Sequence, residues 1–338
     1  MISIIIPCYN NGNYLVKLID CLRHQTSDDW ELIVVDDGST DDTPQVVEDA
    51  FCDLPNAYFY KRNRLPKGSV VCRNIGFEHA KGKYVCHLDA DDLVSDTFVE
   101  KRQAFMEAHP EVDYASFPAM SFTDENNLPV YDESKSIFGI SKGYADLLES
   151  FLRSDYSFST WNNIYKREAI KDILWDEKVA IYTDFSFIVP CILKGLTHNF
   201  CNIKEIDYFY RVNHSSNAMT AVFVSDQKHR STLYLYDKTL NSLKDRPDFK
   251  LRRLQFKPMI SVHFERLLHT GNAQYLKDFL NLIRKNYSSL YFLRYYMAFK
   301  LSALSNYKKY PIELFFTLFC DKRKYLSAVK SKVSNIFK

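Results

Sequence analysis

The chain has 338 residues, 46% of them hydrophobic and 25% charged, the balance of a folded globular protein rather than a disordered, collagenous or disulfide-stapled one. Its length predicts about two domains. The formal net charge of +2 hides an asymmetry: residues 250–338 hold 18 of the 44 Lys and Arg but only 4 of the 42 Asp and Glu, a net +14, while residues 1–249 carry −12. The eight cysteines, at 8, 21, 52, 72, 86, 191, 201 and 320, form no C-x-x-C pair and sit mostly in apolar runs. That pattern predicts buried free thiols in a reducing compartment, not a thiolate metal site. The opening Met-Ile-Ser-Ile-Ile-Ile-Pro has no basic leader, and no apolar run reaches the ~18 residues of a membrane span. The expected location is therefore cytoplasmic.

In chain order, three short apolar runs each end in a polar cluster. Ile2 to Ile6 precedes Pro7-Cys8-Tyr9-Asn10, Glu31 to Val35 precedes Asp36-Asp37-Gly38-Ser39, and Tyr84 to Leu88 precedes Asp89-Ala90-Asp91-Asp92. These predict buried parallel strands. Helical stripes lie between them, one at Tyr14, Leu15, Leu18, Ile19 and Leu22, another at Val70, Val71, Ile75 and Phe77. The alternation predicts a doubly wound α/β sheet, whose ligands bind beyond the carboxyl ends of the strands.

Further along, the pattern predicts a strand from Val112 to Phe122, a turn at Asp124 to Pro129 and a helix near Gly143 to Arg153. It continues with a short helix near Lys166 to Lys171, a helix from about Asp184 to just before Gly195, and strands at Asn199 to Ile203 and Ile206 to Val212. Beyond Asn217 helical spacing dominates, with breaks at Pro247, Pro258, Gly271 and Pro311. No internal repeat or low-complexity tract is present.

Three carboxylates crowded at Asp89, Asp91 and Asp92 repel one another unless a cation sits among them, and hard oxygen donors suit Mg²⁺ or Mn²⁺ shared with a diphosphate. The alternative is a helix start, with Asp92, Ser95 and Asp96 complementing the dipole of a helix over Thr97 to Glu107. In the second cluster Ser39, Thr40 or Asp41 can cap a helix running from Pro44. Capping leaves Asp36 and Asp37 to face the crevice, where a carboxylate can accept the imide N–H of uracil. Tyr9 supplies a ring that can lie against a base.

Together these clusters resemble family 2 of the nucleotide-sugar-dependent glycosyltransferases. The likeness runs from Ile2 to about Ser216 through Ile4 to Asn10, Glu31 to Asp41, Arg73-Asn74-Ile75-Gly76, Ala80-Lys81-Gly82-Lys83-Tyr84 and Leu88 to Asp92. The resemblance implies a GT-A fold, a mixed α/β sheet flanked by helices. Residues 1–216 would form the transferase domain, split into a nucleotide-sugar half (1–110) and an acceptor half (111–216), followed by a basic, aromatic-rich helical region at 217–338. Pro7, Cys8, Tyr9 and Asp37 would hold the base and ribose, with Asn10, Asp36, Arg73, Asn74, Asp89 and Ala90 completing the nucleotide-sugar site. Asp91 would bind the divalent cation on the diphosphate, helped by Asp89. His214, or Arg211, in the late Tyr208-to-Ser216 run would reach the metal or diphosphate.

The base that activates the acceptor would be Asp184, in Tyr182-Thr183-Asp184-Phe185, with Thr183 replacing the family's Glu. The implied reaction moves a sugar from a nucleotide diphosphate, expected to be UDP, to an acceptor hydroxyl with inversion, in bacterial surface-polysaccharide synthesis. The implied acceptor is a glycan or a lipid-diphosphate-linked one. Aromatics interleaved with Lys and Arg over Leu290 to Lys300 and Pro311 to Lys324 suit an anionic membrane surface at the inner face of the cytoplasmic membrane, or else a helical subdomain with a solvated basic face. The rival classes are a non-catalytic nucleotide-sugar-binding or scaffold protein, kept open by Thr183, and a sugar nucleotidyltransferase, which would need a Gly-rich, Arg-containing loop after the first strand. Neither a dinucleotide fingerprint nor a P-loop occurs, and the acidic body argues against nucleic acid.

Overall fold

The strands predicted at the three apolar runs lie side by side. The computed structural model describes residues 1–132, 139, 141, 143–212, 225–270 and 272–304, with backbone alone for 265, 268–270 and 298–304. Strands β1 (Ile2–Cys8), β2 (Trp30–Asp36), β3 (Ala57–Lys61) and β4 (Tyr84–His87) are parallel, with Cys8 opposite Asp36 and Ile5 opposite both Ile33 and His87. β1, β2 and β4 are buried at every position, whereas the edge strand β3 is only partly buried, so it carries no continuous apolar run to betray it. The sheet continues through β8 (Asn163–Lys166), antiparallel to β4, then β6 (Tyr114–Ser116), antiparallel to β8, and β9 (His198–Phe200), parallel to β6. The order β3-β2-β1-β4-β8-β6-β9 makes the sheet mixed.

A second, three-stranded sheet joins β5 (Leu93–Val94), β10 (Tyr208–Arg211) and β7 (Ala119–Phe122). The single strand expected over Val112 to Phe122 is thus two strands in different sheets. Pro118 lies at the break, where it has no N–H to continue a ladder. β8 lies just before the short helix expected near Lys166 and had no strand expectation of its own.

The helices of this part are α1 (Gly12–Arg23), α2 (Thr43–Ala50), α3 (Ser69–His79), α4 (Phe98–Ala108), α5 (Leu147–Leu152), α6 (Arg167–Ile170) and α7 (Thr183–Leu193). Leu15, Leu18, Ile19 and Leu22 of α1 bury against Ile4, Ile6, Leu32 and Val34, each such side chain contributing about 1.5–3 kcal/mol. Two motif glycines serve close packing. A Cβ on Gly76 would lie 2.4 Å from Ile5 Cγ2, and one on Gly82 would lie 2.6 Å from the Ser3 nitrogen. Arg102 of α4 pairs with Asp207, just before β10, through Nε to Oδ2 at 2.7 Å and Nη2 to Oδ1 at 3.0 Å. Both are buried.

The chain divides into two compact units, one of Met1–Phe151 with Asp155–Asn217, the other of Leu152–Ser154 with Ala218–Lys338. The described part of the second unit is helical: α8 (Asp226–Leu243), α9 (Phe249–Gln255), α10 (Lys257–Thr270), α11 (Ala273–Asn286) and α12 (Ser289–Leu304). Ser225 caps α8 and Asn272 caps α11 through their side chains. Phe264, Phe279 and Tyr295 meet in its core. Pro247 falls between helices as expected, and Pro258 fits the first turn of α10, where the missing N–H costs nothing. Pro311 and Gly271 lie outside the described residues, as does everything beyond 304. No described helix is long and apolar enough to cross a membrane.

Candidate active site

The loops that follow β1, β2 and β4 converge at the carboxyl ends of those strands. The Asp37 amide donates to the Cys8 carbonyl at 2.9 Å, and Leu88 N–H donates to the Ile5 carbonyl at 3.0 Å. Asn10, in the left-handed region at φ 50, locks the first two loops together. Its amide nitrogen reaches Thr40 Oγ1 at 3.3 Å, its Oδ1 accepts Thr40 N–H at 2.8 Å, and its backbone N–H donates to Ser39 Oγ at 3.0 Å.

Asp36 departs from expectation. It is 2% exposed, and its carboxylate accepts Gly38 N–H, Ser39 N–H and the Ser39 hydroxyl at 3.1, 3.1 and 2.5 Å. A tight turn leaves backbone donors that need an acceptor, so Asp36 holds the loop instead of facing the crevice. Asp37 is the open member of the pair. Its Oδ1 takes Arg62 Nε at 2.6 Å and Gly68 N–H at 3.1 Å, while Oδ2 has no partner among the described residues. Tyr9 is 48% exposed, with the Lys67 ammonium 5.6 Å from its ring centroid. Pro7 and Cys8 are buried; the Cys8 thiol points at Asp36 Oδ1 at 3.8 Å, and burial pushes it far up.

The third loop shows the same division. Ala90 is buried in the core, so its side chain is not part of a nucleotide site. Asp92, expected at a helix start, is buried as the acceptor for the Tyr208 hydroxyl at 2.6 Å and Arg211 N–H at 2.7 Å. Asp89 pairs with Arg73, whose guanidinium also lies 4.7 Å from the Trp175 ring centroid. Burial pushes the Asp89 acid up to about 6 against the pull of Arg73, and the charges of Asp184 and Asp91 add to the rise. Burial likewise raises Asp91 against the hydrogen bond from its own backbone N–H and the charge of Arg211, and no other described residue donates a hydrogen bond to its carboxylate. Asn74, by contrast, is spent on the fold. Its amide bonds the Trp175 carbonyl at 2.9 Å and Glu177 at 3.0 Å, and its carbonyl accepts Trp175 N–H at 2.9 Å.

Across from these loops, α7 starts with Tyr182 in the left-handed conformation at φ 59, and Asp184 stands in its first turn. Asp184 Oδ1 accepts Ser159 Oγ at 2.9 Å, Thr160 N–H at 3.1 Å and the Thr160 hydroxyl. Its Oδ2 has no partner among the described residues. Next to Thr160, Trp161 stacks on Tyr208 (centroids 4.6 Å, planes 19° apart) and on Tyr210 (5.3 Å, 11°). Burial raises the Tyr210 hydroxyl, with Asp92, Asp89, Asp91 and Asp184 adding to it. Arg211 is buried, donating to the Asp91 carbonyl and to Glu125, each at 2.5 Å, between the rings of Tyr14 and Phe122. His214 lies outside the described residues. Arg62, Trp161 and Trp175 carried no motif and were not legible as site residues, and Tyr210 fell within the late Tyr208-to-Ser216 run without being singled out there.

Among the described residues no group of three or more His, Cys, Asp and Glu gathers as a metal site. Asp91, with no hydrogen-bond donor from another described residue, and Asp89 beside it make a hard-oxygen donor set that suits Mn²⁺ or Mg²⁺ only if a diphosphate and water complete the coordination. The seven described cysteines are free, and most are buried.

Comparisons with known proteins bear on the family and the fold. The description "Glycosyl transferase family 2" matches residues 3–174, just over half of the chain. Minor teichoic acid biosynthesis protein GgaB of Bacillus subtilis (strain 168) is 27% identical over 335 residues, 92% of this chain and 36% of GgaB, so the chain spans about a third of that relative. In three dimensions it is similar to S. aureus TarS 1-349 in complex with UDP-GlcNAc, with TM-score 0.63 and 19% identity over 83% of this chain and 79% of that one. It is also similar to mannosyltransferase PcManGT from Pyrobaculum calidifontis in complex with GDP-Man and Mn2+, with TM-score 0.53 and 18% identity over 98% and 86%. Likeness at these identities carries the fold, and the fold is the GT-A fold expected from the sequence. With its three strand-end motifs on that fold and the match across residues 3–174, the chain belongs to glycosyl transferase family 2.

Proposed function

We propose that this chain transfers a sugar from a nucleotide diphosphate, UDP in the first instance, to an acceptor hydroxyl with inversion, in the synthesis of a bacterial cell-surface polysaccharide. The observation that carries the reading is Asp184: one carboxylate oxygen is clamped by three donors and the other is open, and its charge acts on Asp89 across the cleft. GgaB supports a teichoic-acid type of product, and TarS supports a UDP-sugar.

In the proposed step the acceptor oxygen bonds to the anomeric carbon while the bond from that carbon to the diphosphate oxygen breaks, its electron pair leaving with the diphosphate. Asp184 Oδ2 takes the acceptor proton, a general-base contribution of about 10²–10⁴ in rate. Clamping of Oδ1 fixes which oxygen is presented. Asp37, braced by Arg62, offers Oδ2 to the imide N–H of uracil, and the exposed Tyr9 ring lies against the base. Asp91 and Asp89 would hold Mn²⁺ or Mg²⁺, which when bound stabilises charge on the departing diphosphate as a Lewis acid. Arg73 keeps Asp89 in place.

Calorimetry of UDP, GDP, CDP and ADP with Mn²⁺, wild type beside Asp91→Asn, tests this. UDP-selective binding that is lost in the variant supports it. GDP preference moves the donor toward the type bound by PcManGT, and no nucleotide binding by folded protein favours the scaffold reading.

The basic region is proposed to rest on an anionic membrane. Leu290, Leu293, Tyr296 and Met297 of α12 are exposed, at a spacing that puts them on one side of the helix. Sedimentation with phosphatidylglycerol vesicles but not phosphatidylcholine ones supports this, and equal failure with both removes it.

A further inference from the structure

Trp161 stacks on both Tyr208 and Tyr210, so the three rings join β10 to the segment that holds Asp184. On one side β10 holds the Asp89–Asp92 loop: the Tyr208 hydroxyl donates to Asp92, and Arg211, next to Tyr210, donates to Asp92 and to the Asp91 carbonyl. On the other, Trp161 follows Thr160, whose N–H and hydroxyl clamp Asp184. Tyr208 and Trp161 are buried, and Tyr210, the outermost ring, is 37% exposed. A ring stacked on a second ring, partly exposed and near enough to Asp89, Asp91, Asp92 and Asp184 to feel their charge, is an apolar surface among acceptors of hydrogen bonds. A hexopyranose matches both features: it has one face of C–H bonds and a rim of hydroxyls. A polyol phosphate chain has no flat C–H face, and its charge is repelled by the Asp184 carboxylate beside which it would have to lie.

Resting on the transferase reading above, we propose that the exposed face of Tyr210 is the acceptor platform, and that the acceptor presents a pyranose ring whose hydroxyl points at Asp184 Oδ2. The occupant is the acceptor and not the donor sugar because the segment that builds the platform is the one that clamps the base, so what lies on it is what the base deprotonates.

The test is saturation-transfer NMR with methyl glycosides of glucose, galactose and N-acetylglucosamine, in the presence of UDP and Mg²⁺, with ribitol 5-phosphate as the contrasting probe. The proposal expects signal from at least one pyranoside with wild type and with Tyr210→Phe. Tyr210→Ala and Tyr210→Leu should weaken that affinity about three- to tenfold, as for loss of one ring contact. Equal pyranoside binding by Tyr210→Ala and wild type would overturn it, as would binding of ribitol 5-phosphate with no pyranoside bound. Calorimetry of UDP on the same samples separates the two levels. Intact UDP affinity in the variants shows that they fold and confines a failure to the acceptor inference, whereas a wild type that ignores UDP brings down the transferase reading itself.

Discussion

The donor-side loops and the wall opposite them use polar side chains in opposite ways. After β1, β2 and β4, and on α3, the motif residues are largely consumed by the fold: Asp36, Asn10, Asp92 and, on α3, Asn74 each spend their hydrogen-bonding capacity on neighbouring backbone or side chains. On the wall, Ser159, Thr160 and Trp161 serve to leave something open, one oxygen of Asp184 and one ring of Tyr210. The difference teaches that motif membership does not separate a scaffold residue from a chemical one. Satisfaction does, because a buried carboxylate with all its acceptors filled has nothing left to offer a ligand.

Asp184→Asn tests the open side most severely. The amide oxygen can keep the Ser159 and Thr160 donors, so UDP affinity should hold while transfer falls about 10²–10⁴-fold, read as product formed per unit of bound enzyme. Wild-type turnover would remove Asp184 as the base. A comparable free energy lies in the buried framework. Asp207→Ala strands the Arg102 guanidinium without its bidentate partner and should lower unfolding stability by about 3–5 kcal/mol, measured by urea denaturation. The pair Asp36→Ala and Asp91→Asn then sharpens the contrast between neighbouring loops. Removing Asp36 orphans the Gly38 and Ser39 donors and should cost about 1–3 kcal/mol of stability. Removing the Asp91 charge, which burial already disfavours, should leave the melting temperature unchanged or higher while metal-dependent nucleotide binding is lost. Equal melting curves for the two variants would erase the distinction.

The smallest expected effect is on pH dependence. His198, packed among Tyr114, Phe158 and Phe200, has its pKa pushed down by burial from 6.5 to about 3. Between these values the unfolded chain binds the proton and the folded one does not. Stability is therefore full above pH 6.5 and declines as the pH falls below it. His198→Gln should shrink the drop in melting temperature between pH 7 and pH 5, and an unchanged drop would show that His198 does not drive it.

Much of the donor side was legible because a parallel strand buried on both faces reads as a run of Ile, Val and Leu, and a polar cluster after each run marks the carboxyl edge. Asp91 could be chosen for the same reason, since it follows such a run, whereas Asp184 was chosen on the family resemblance. Arg62 and Trp161 were not legible, and Tyr210 was only one member of the late Tyr208-to-Ser216 run. Arg62 and Trp161 come from segments with no local signal, and nothing in the neighbourhood of Trp161 in the chain announces its stacking on Tyr208 and Tyr210. β3 and β8 escaped because a partly buried edge strand and a four-residue antiparallel strand leave too short a pattern. The Val112-to-Phe122 run misled in the other direction, as composition cannot show that Pro118 divides one apolar stretch between two sheets.

What the sequence determined by itself is the order of buried strands, the placing of carboxylates at their ends and the close approach of helix to strand at Gly76, all consequences of local hydrophobicity, chain reversal and side-chain size. Only the tertiary structure decided which of those carboxylates are filled and which are open. A hydrogen bond between residues such as Tyr208 and Asp92, 116 positions apart, exists only once the chain has folded, and such bonds assign Asp92 to the framework while no other described residue donates a hydrogen bond to the Asp91 carboxylate.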